Sequence, residues 1–226
     1  MTASRARLFA ALTLAALVLN GACKSSDSGP APETPPNNET QRPPPEEIPP
    51  TETYEPSAKD AIARSVDERL QTYHSPHGLV YAAFYREAGA KNLLKWEGVA
   101  DSALWSGTYL AAQAFRFRVT QDARDLDGLR RTLEAVRKLS SINGDGLLAR
   151  HFFPVNDPTV DAYLFDNADF GNVIRKNFEG TEYYYLTRTS RDQYAGIFFG
   201  LSVTYSLIND AGVRSTVRDI VTRLTE

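Results

Sequence analysis

Ten of the thirteen prolines fall between residues 24 and 56, and this clustering divides the chain before any other feature does. Proline fixes φ and lacks a backbone donor, so a run of prolines enters neither a helix interior nor a central strand. Ser, Asn, Glu and Thr fill the spaces between them. Such a tract has too little apolar surface to offset the entropy of ordering and favours polyproline II. Its 33 residues span about 100 Å at ~3.1 Å each. Residues 23–56 therefore read as a tether, and the foldable chain is confined to residues 57–226, a length that suits one domain with a real core.

Residues 1–22 read as an export signal. Arg5 and Arg7 precede an apolar run, Leu8 to Leu19, that ends at Asn20-Gly21-Ala22. As a helix this run rises about 18 Å, too short for a hydrocarbon core of about 30 Å, which fits a secretory signal better than a membrane span. Cys23 follows, the only cysteine of the chain. The segment Leu19-Asn20-Gly21-Ala22-Cys23 resembles the lipobox of bacterial lipoproteins. The resemblance implies a lipid on Cys23, attachment to the inner or outer membrane, and a location in the bacterial envelope facing the periplasm or the cell surface. One cysteine leaves no internal disulfide and no Cys-based zinc cluster.

The net charge is −3 and no basic run occurs, so the electrostatic footprint of a nucleic-acid binder is absent. Within 57–226 the dominant periodicity is helical. Ile62, Val66 and Leu70 recur on one face of a helix over 57–73, which Ser57 and Asp60 open in the manner of a capping box. Residues 79–85 are an apolar run compatible with strand or helix. Residues 99–119 read as a mostly apolar helix. Residues 123–142 follow as an amphipathic one, with Leu126, Leu129, Leu133, Val136 and Leu139 inward and Arg130, Arg131, Arg137 and Lys138 outward. Residues 190–209 and 212–226 repeat this αα-hairpin.

The repeat is visible in the residues. Trp105-Ser-Gly107-Thr-Tyr109 aligns with Tyr194-Ala-Gly196-Ile-Phe198, and the glycines lie 89 residues apart. A helical glycine costs about 1 kcal/mol relative to alanine, and its use twice in one context points to close approach of a neighbouring helix. The stretches GVADSALWSGTYLAAQAFRF and TSRDQYAGIFFGLSVTYSLI, with GDGLLARHFFP between them, resemble the six-hairpin (α/α) toroids of certain glycosidases and sugar epimerases. The resemblance covers about residues 95–226. It implies an all-α fold of αα-hairpin repeats belonging to such a toroid, with 143–189 as a long aromatic-rich loop between hairpins. A full ring uses about twelve helices and this domain has room for five or six, so a partner or a missing C-terminal half is expected to complete it.

The same resemblance implies a carbohydrate ligand and, if any reaction, a glycoside hydrolase-like one. That chemistry needs one protonated and one ionised carboxyl. Asp101 and Asp192, near the starts of the two inner helices, are the candidates, with Glu97, Glu179 and Glu182 in reserve. Both aspartates also suit helix capping: Ser190 to Gln193 spells a capping box. Trp105, Tyr109, Tyr184 and Tyr194 are candidate ring-stacking residues, and Arg150 and His151 candidates for an anionic sugar. Asp157, Asp161, Asp166, Asn167 and Asp169 match no EF-hand spacing, and His74, His77 and His151 match no zinc motif. No metal or cofactor is expected, and no GxSxG, Walker A or GxGxxG pattern is present. The sequence thus leads to a membrane-anchored envelope protein that binds, and in the stronger form cleaves or modifies, carbohydrate. The alternatives are a non-enzymatic binding or scaffold lipoprotein, or an inactive fragment of a longer toroid protein.

Overall fold

The computed structural model describes residues 54–89, 91–97, 99–167 and 173–226, with Lys91 and residues 164–167 described by backbone alone. The signal, Cys23 and nearly all of the tether lie outside the described residues, as do Asp169 and Phe170. In order the elements are α1 (Ala58–Tyr73), β1 (Ala82–Glu87), β2 (Lys91–Glu97), α2 (Ser102–Thr120, entered through a 3-10 turn over Val99–Asp101), α3 (Ala123–Ser141), β3 (His151–Pro154), α4 (Val160–Asn167), β4 (Val173–Phe178), β5 (Thr181–Leu186), α5 (Arg191–Leu207) and α6 (Ala211–Thr225).

The expected all-α architecture, with its hairpin repeats as part of a toroid, is corrected by two antiparallel sheets. One is the β1–β2 hairpin, and the other has strand order β3-β5-β4. The segment read as a loop between hairpins is therefore folded. Its turn is chemically plain: Glu179 and Gly180 both adopt positive φ, 50° and 82°. That is the requirement of a two-residue hairpin turn whose twist matches its strands. The flanking aromatics, Tyr183 to Tyr185 and Phe178, are strand formers. They pack the sheet into the core, where Phe152 meets Tyr183 edge-on and Phe153 stacks on Tyr163 at 4.8 Å. Tyr81 and Trp96 close the same cluster from the first hairpin.

The five long helices, α1, α2, α3, α5 and α6, fall close to their expected spans. α3 buries Leu129, Leu133, Val136 and Leu139, and α6 buries Val213, Val217 and Ile220. Between α2 and α5 lies the most extensive helix contact of the domain. Gly107 and Gly196, the paired glycines of the repeat, face each other there. A Cβ on Gly107 would lie 2.2 Å from the Gly196 carbonyl oxygen, and one on Gly200 would lie 2.2 Å from the Gly107 oxygen. No side chain fits either gap. Since Leu104 and Gly107 meet Gly196, and Gly107 meets Gly200, the two helices run parallel and their N-terminal ends coincide.

α1 inverts the expected amphipathic rule. None of its residues is buried, and its polar edge faces the protein. Asp67 accepts a hydrogen bond from the Tyr109 hydroxyl at 2.6 Å and pairs with Arg116 at 2.7 Å. Arg64 reaches Asp122 and Asp125, and Arg131 donates to Gln71. Ile62 and Val66 are left outside, 66% and 59% exposed.

Candidate functional site

The parallel pairing of α2 and α5 brings Asp101 and Asp192 to the same end of the molecule. Gln193, a fully buried residue, joins them. Its Nε2 donates to Asp101 Oδ1 at 3.1 Å and to Asp192 Oδ2 at 3.3 Å, so the two carboxylates flank a single amide nitrogen. Its Oε1 accepts from the backbone N–H of Leu104 at 3.0 Å. That bond satisfies one of the orphan donors in the first turn of α2. The capping box expected from Ser190 to Gln193 does not form. Gln193 crosses to the neighbouring helix, and the Ser190 hydroxyl donates to Asp192.

Arg150 completes the cluster. One terminal nitrogen donates to Ser190 Oγ at 3.1 Å and lies 3.6 Å from Asp101 Oδ1. The Ser190 hydroxyl holds Asp192 below the usual carboxylate range, so this group is ionised at neutral pH. Among the described residues the other carboxyls displaced from their ordinary acidity, Asp60, Asp122, Glu179 and Asp210, are also displaced downward, each chiefly by hydrogen bonds.

Trp105 lies one helical turn beyond Asp101 on the same side of α2 and is 54% exposed. It is the uncommitted aromatic of the cluster. Tyr109 is tied to Asp67, and burial with that carboxylate pushes its hydroxyl well above the ordinary range. Tyr194 accepts the Leu148 N–H at 3.1 Å and stacks on Phe198. Tyr184 is half-buried on β5, 6.4 Å from the Tyr163 ring. His151 has no exposed surface. Its Nδ1 contacts the Val99 carbonyl at 2.8 Å and its Nε2 the Tyr163 hydroxyl at 2.9 Å, and burial lowers its pKa to about 3. It is a neutral core histidine that fixes the entrance to α2.

The remaining candidates are dispersed. Glu97 pairs with Lys95, Glu179 with Arg137 and Glu182 with Arg175. Asp157 holds the Thr159 turn and pairs with His77 at 3.1 Å. Among the described residues no group of three or more His, Cys, Asp or Glu side chains is placed to hold a metal, and no helix is long and apolar enough to cross a membrane. Sequence reasoning missed Gln193 as the bridge between the carboxylates and Ser190 as the partner of Asp192. The 89-residue repeat that aligns Leu104 with Gln193 was the available signal. Comparison with family models, with curated proteins and with solved structures finds no match.

Proposed function

We propose that the domain is a saccharide-binding module of the bacterial envelope, tethered through Cys23, and that it binds rather than hydrolyses its ligand. The observation that carries the reading is the meeting of Asp101 and Asp192 on the Gln193 amide, one helical turn from the exposed Trp105. An indole face covers the apolar C–H face of a pyranose, and carboxylates, a guanidinium and an amide receive or supply hydrogen bonds at the ring's hydroxyl edge. Few polar groups fixed beside an apolar surface are the usual makeup of a small-molecule site. Hydrolysis requires a carboxyl kept protonated beside an ionised one. Asp192 is held ionised, and it shares its amide donor with Asp101 in an open, solvated position.

The test is a titration of the full chain with soluble oligosaccharides released from bacterial envelopes, followed by tryptophan fluorescence and, for the variant lacking Trp105, by calorimetry. Trp96 is buried at 4% exposure, so quenching or a blue shift reports Trp105. Trp105→Ala should abolish binding, and Asp192→Asn should weaken it by about tenfold, the loss of one charge-assisted hydrogen bond, with the melting temperature little changed. Saccharide binding that persists in Trp105→Ala, or an Asp192→Asn variant that only melts earlier, refutes the reading in favour of a capping role.

One observation favours a second reading, a scaffold that docks a partner helix. Trp105, Thr108, Ala112, Phe115 and Val119 are all exposed and recur at alternating steps of three and four along α2. That is the spacing of a helix-packing seam. Phe115→Lys would abolish capture of such a partner and leave saccharide binding intact.

A further inference from the structure

α1 leaves an apolar groove beside Trp105. Its volume is about 850 Å³, within the range of small-molecule sites. Ile62, Val66 and Leu70 line one wall, and Val80 and Trp105 line the other. Arg69 is, among the described residues, the one side chain of fixed charge in the lining, and no carboxylate lines it. Among the described residues Arg69 makes no ion pair or hydrogen bond through its side chain.

An amphipathic helix usually buries its apolar edge. α1 is instead held by Arg64, Asp67 and Gln71, so its apolar edge is free to receive something else. Tyr109 meets Asp67, and Arg116 donates to the Ala63 carbonyl at 2.9 Å, so α1 and α2 run antiparallel. One turn on from the Tyr109–Asp67 pair, Trp105 falls at the Arg69–Leu70 end of the groove, and Ile62 and Val66 extend away from it. The groove is thus apolar along its length and cationic at one end.

We propose that this groove binds a monomeric long-chain fatty acid, with its alkyl chain along Ile62, Val66 and Leu70 and its carboxylate on Arg69. The positive charge selects an anionic head, and the length of apolar wall selects an extended chain. The site is separate from the Asp101–Asp192 cluster and stands or falls without it, although Trp105 borders both.

The test is titration of the full chain with octanoate, decanoate and dodecanoate below their micellar concentrations, read by tryptophan fluorescence and calorimetry. Affinity should rise about fourfold per added methylene, the transfer free energy of one buried CH2 group. Arg69→Gln should weaken dodecanoate by about tenfold and leave dodecanol unaffected. Val66→Asp should abolish both while the circular dichroism spectrum is retained. Asp192→Asn should leave dodecanoate binding unchanged, which separates this site from the saccharide reading. Equal affinity across the chain-length series overturns the proposal, as does an Arg69→Gln variant that binds dodecanoate like the parent. Association with vesicles of anionic phospholipid in the absence of any dodecanoate binding also overturns it, because the surface would then be a membrane contact.

Discussion

Two of the helices packed around α2 are held in place by opposite means. α5 is joined through missing side chains: Gly107, Gly196 and Gly200 let backbone touch backbone. α1 is joined through long ones: Asp67 reaches Tyr109 and Arg116 on α2, while Arg64 and Gln71 reach Asp122 at the start of α3 and Asp125 and Arg131 on it. The first seam is dry, close and intolerant of any added atom. The second is polar, spaced and adjustable, and it leaves the groove. Rigidity and accessibility are thus divided between the two sides of one helix. The polar cluster sits at the rigid seam, where Gln193 fixes both carboxylates, and the apolar groove opens at the adjustable one.

The harshest way to break this contrast is to add atoms at the dry seam. Gly107→Val places its Cβ within 2.2 Å of a carbonyl oxygen. The cost should exceed the ~1–3 kcal/mol of ordinary core overpacking, because backbone receives the clash and cannot rotate away. Thermal melting should show loss of cooperative folding or a melting temperature lower by more than ~10 °C. Gly128→Ala on α3 is the matched control. Its added Cβ meets side-chain amides of Gln71 and Gln113 at 3.2 and 3.3 Å, which can give way, and alanine favours the helix by about 1 kcal/mol. Near-neutral stability is expected there. Equal damage at both glycines would remove the distinction between the seams.

At the polar seam the expected damage is smaller and local. Asp67→Ala removes a hydrogen bond from Tyr109 and an ion pair with Arg116. Bonds to a charged group contribute about 1.5–3 kcal/mol each when well formed, and this carboxylate is largely shielded, with 12% side-chain exposure. Hydrogen exchange should accelerate over residues 58–73 and stay slow in α2 and α5. Global loss of protection would show that α1 is integral to the core rather than docked upon it.

The seams also differ in how much of each the sequence disclosed. The dry one was legible, because a glycine flanked by aromatics at Gly107 and again at Gly196 needs a reason and the reason is contact. The spans of α2, α3, α5 and α6 followed from apolar periodicity in the same way. The polar seam was not legible, since the partners of Asp67 lie 42 and 49 residues on in the chain and no local pattern marks them. Periodicity correctly put Ile62, Val66 and Leu70 on one face of α1, but periodicity cannot say which face docks. The second sheet was missed for another reason. Aromatics over 143–189 fit either ligand stacking or packing of a loop onto its own helices, and neither reading uses the hairpin signal of Glu179-Gly180 between Phe178 and Tyr183. Of the site, Asp101, Asp192 and Trp105 were legible from their places near the starts of the two inner helices, and Arg150 from the stretch that joins the hairpins. Gln193 reads only as a cap, because two of its partners, Asp101 and the Leu104 N–H, lie across the fold.

Acid offers a gentler probe of the rigid side. His151 is buried and neutral, held by Val99 at the entrance to α2, with its pKa lowered to about 3 by desolvation. Burial also lowers that of His77, beside Asp157. In the unfolded chain both return to about 6.5, so below that pH the unfolded state binds protons that the folded state refuses. Stability is therefore full above about pH 6.5 and falls as pH drops, by up to about 1.4 kcal/mol per unit for a wholly buried histidine. For His151 the loss continues toward pH 3. His151→Gln should flatten the dependence of melting temperature on pH between 6.5 and 4.5. The hydrogen-bonded carboxylates Asp192 and Asp210 add their own loss only below the ordinary carboxylate range, about pH 4. A profile that is flat until pH 4 in the parent protein would show that His151 is not the group titrating.

The smallest effect on stability should come from the residue on which both proposed ligands depend. Trp105 is more than half exposed and its indole makes no hydrogen bond among the described residues. Truncation to alanine removes little buried area and, through alanine's helix propensity, returns part of the loss, so stability should change by less than about 1 kcal/mol. Yet Trp105 stands between the carboxylate cluster and the apolar groove, and its removal should erase the calorimetric response to saccharide and weaken dodecanoate binding together. A large aromatic at this border, with little role in holding the fold, is explained by contact with something outside the chain. If Trp105→Ala instead melts as early as Asp67→Ala, the indole is packing α1 onto α2, and the border is a third seam rather than a binding surface.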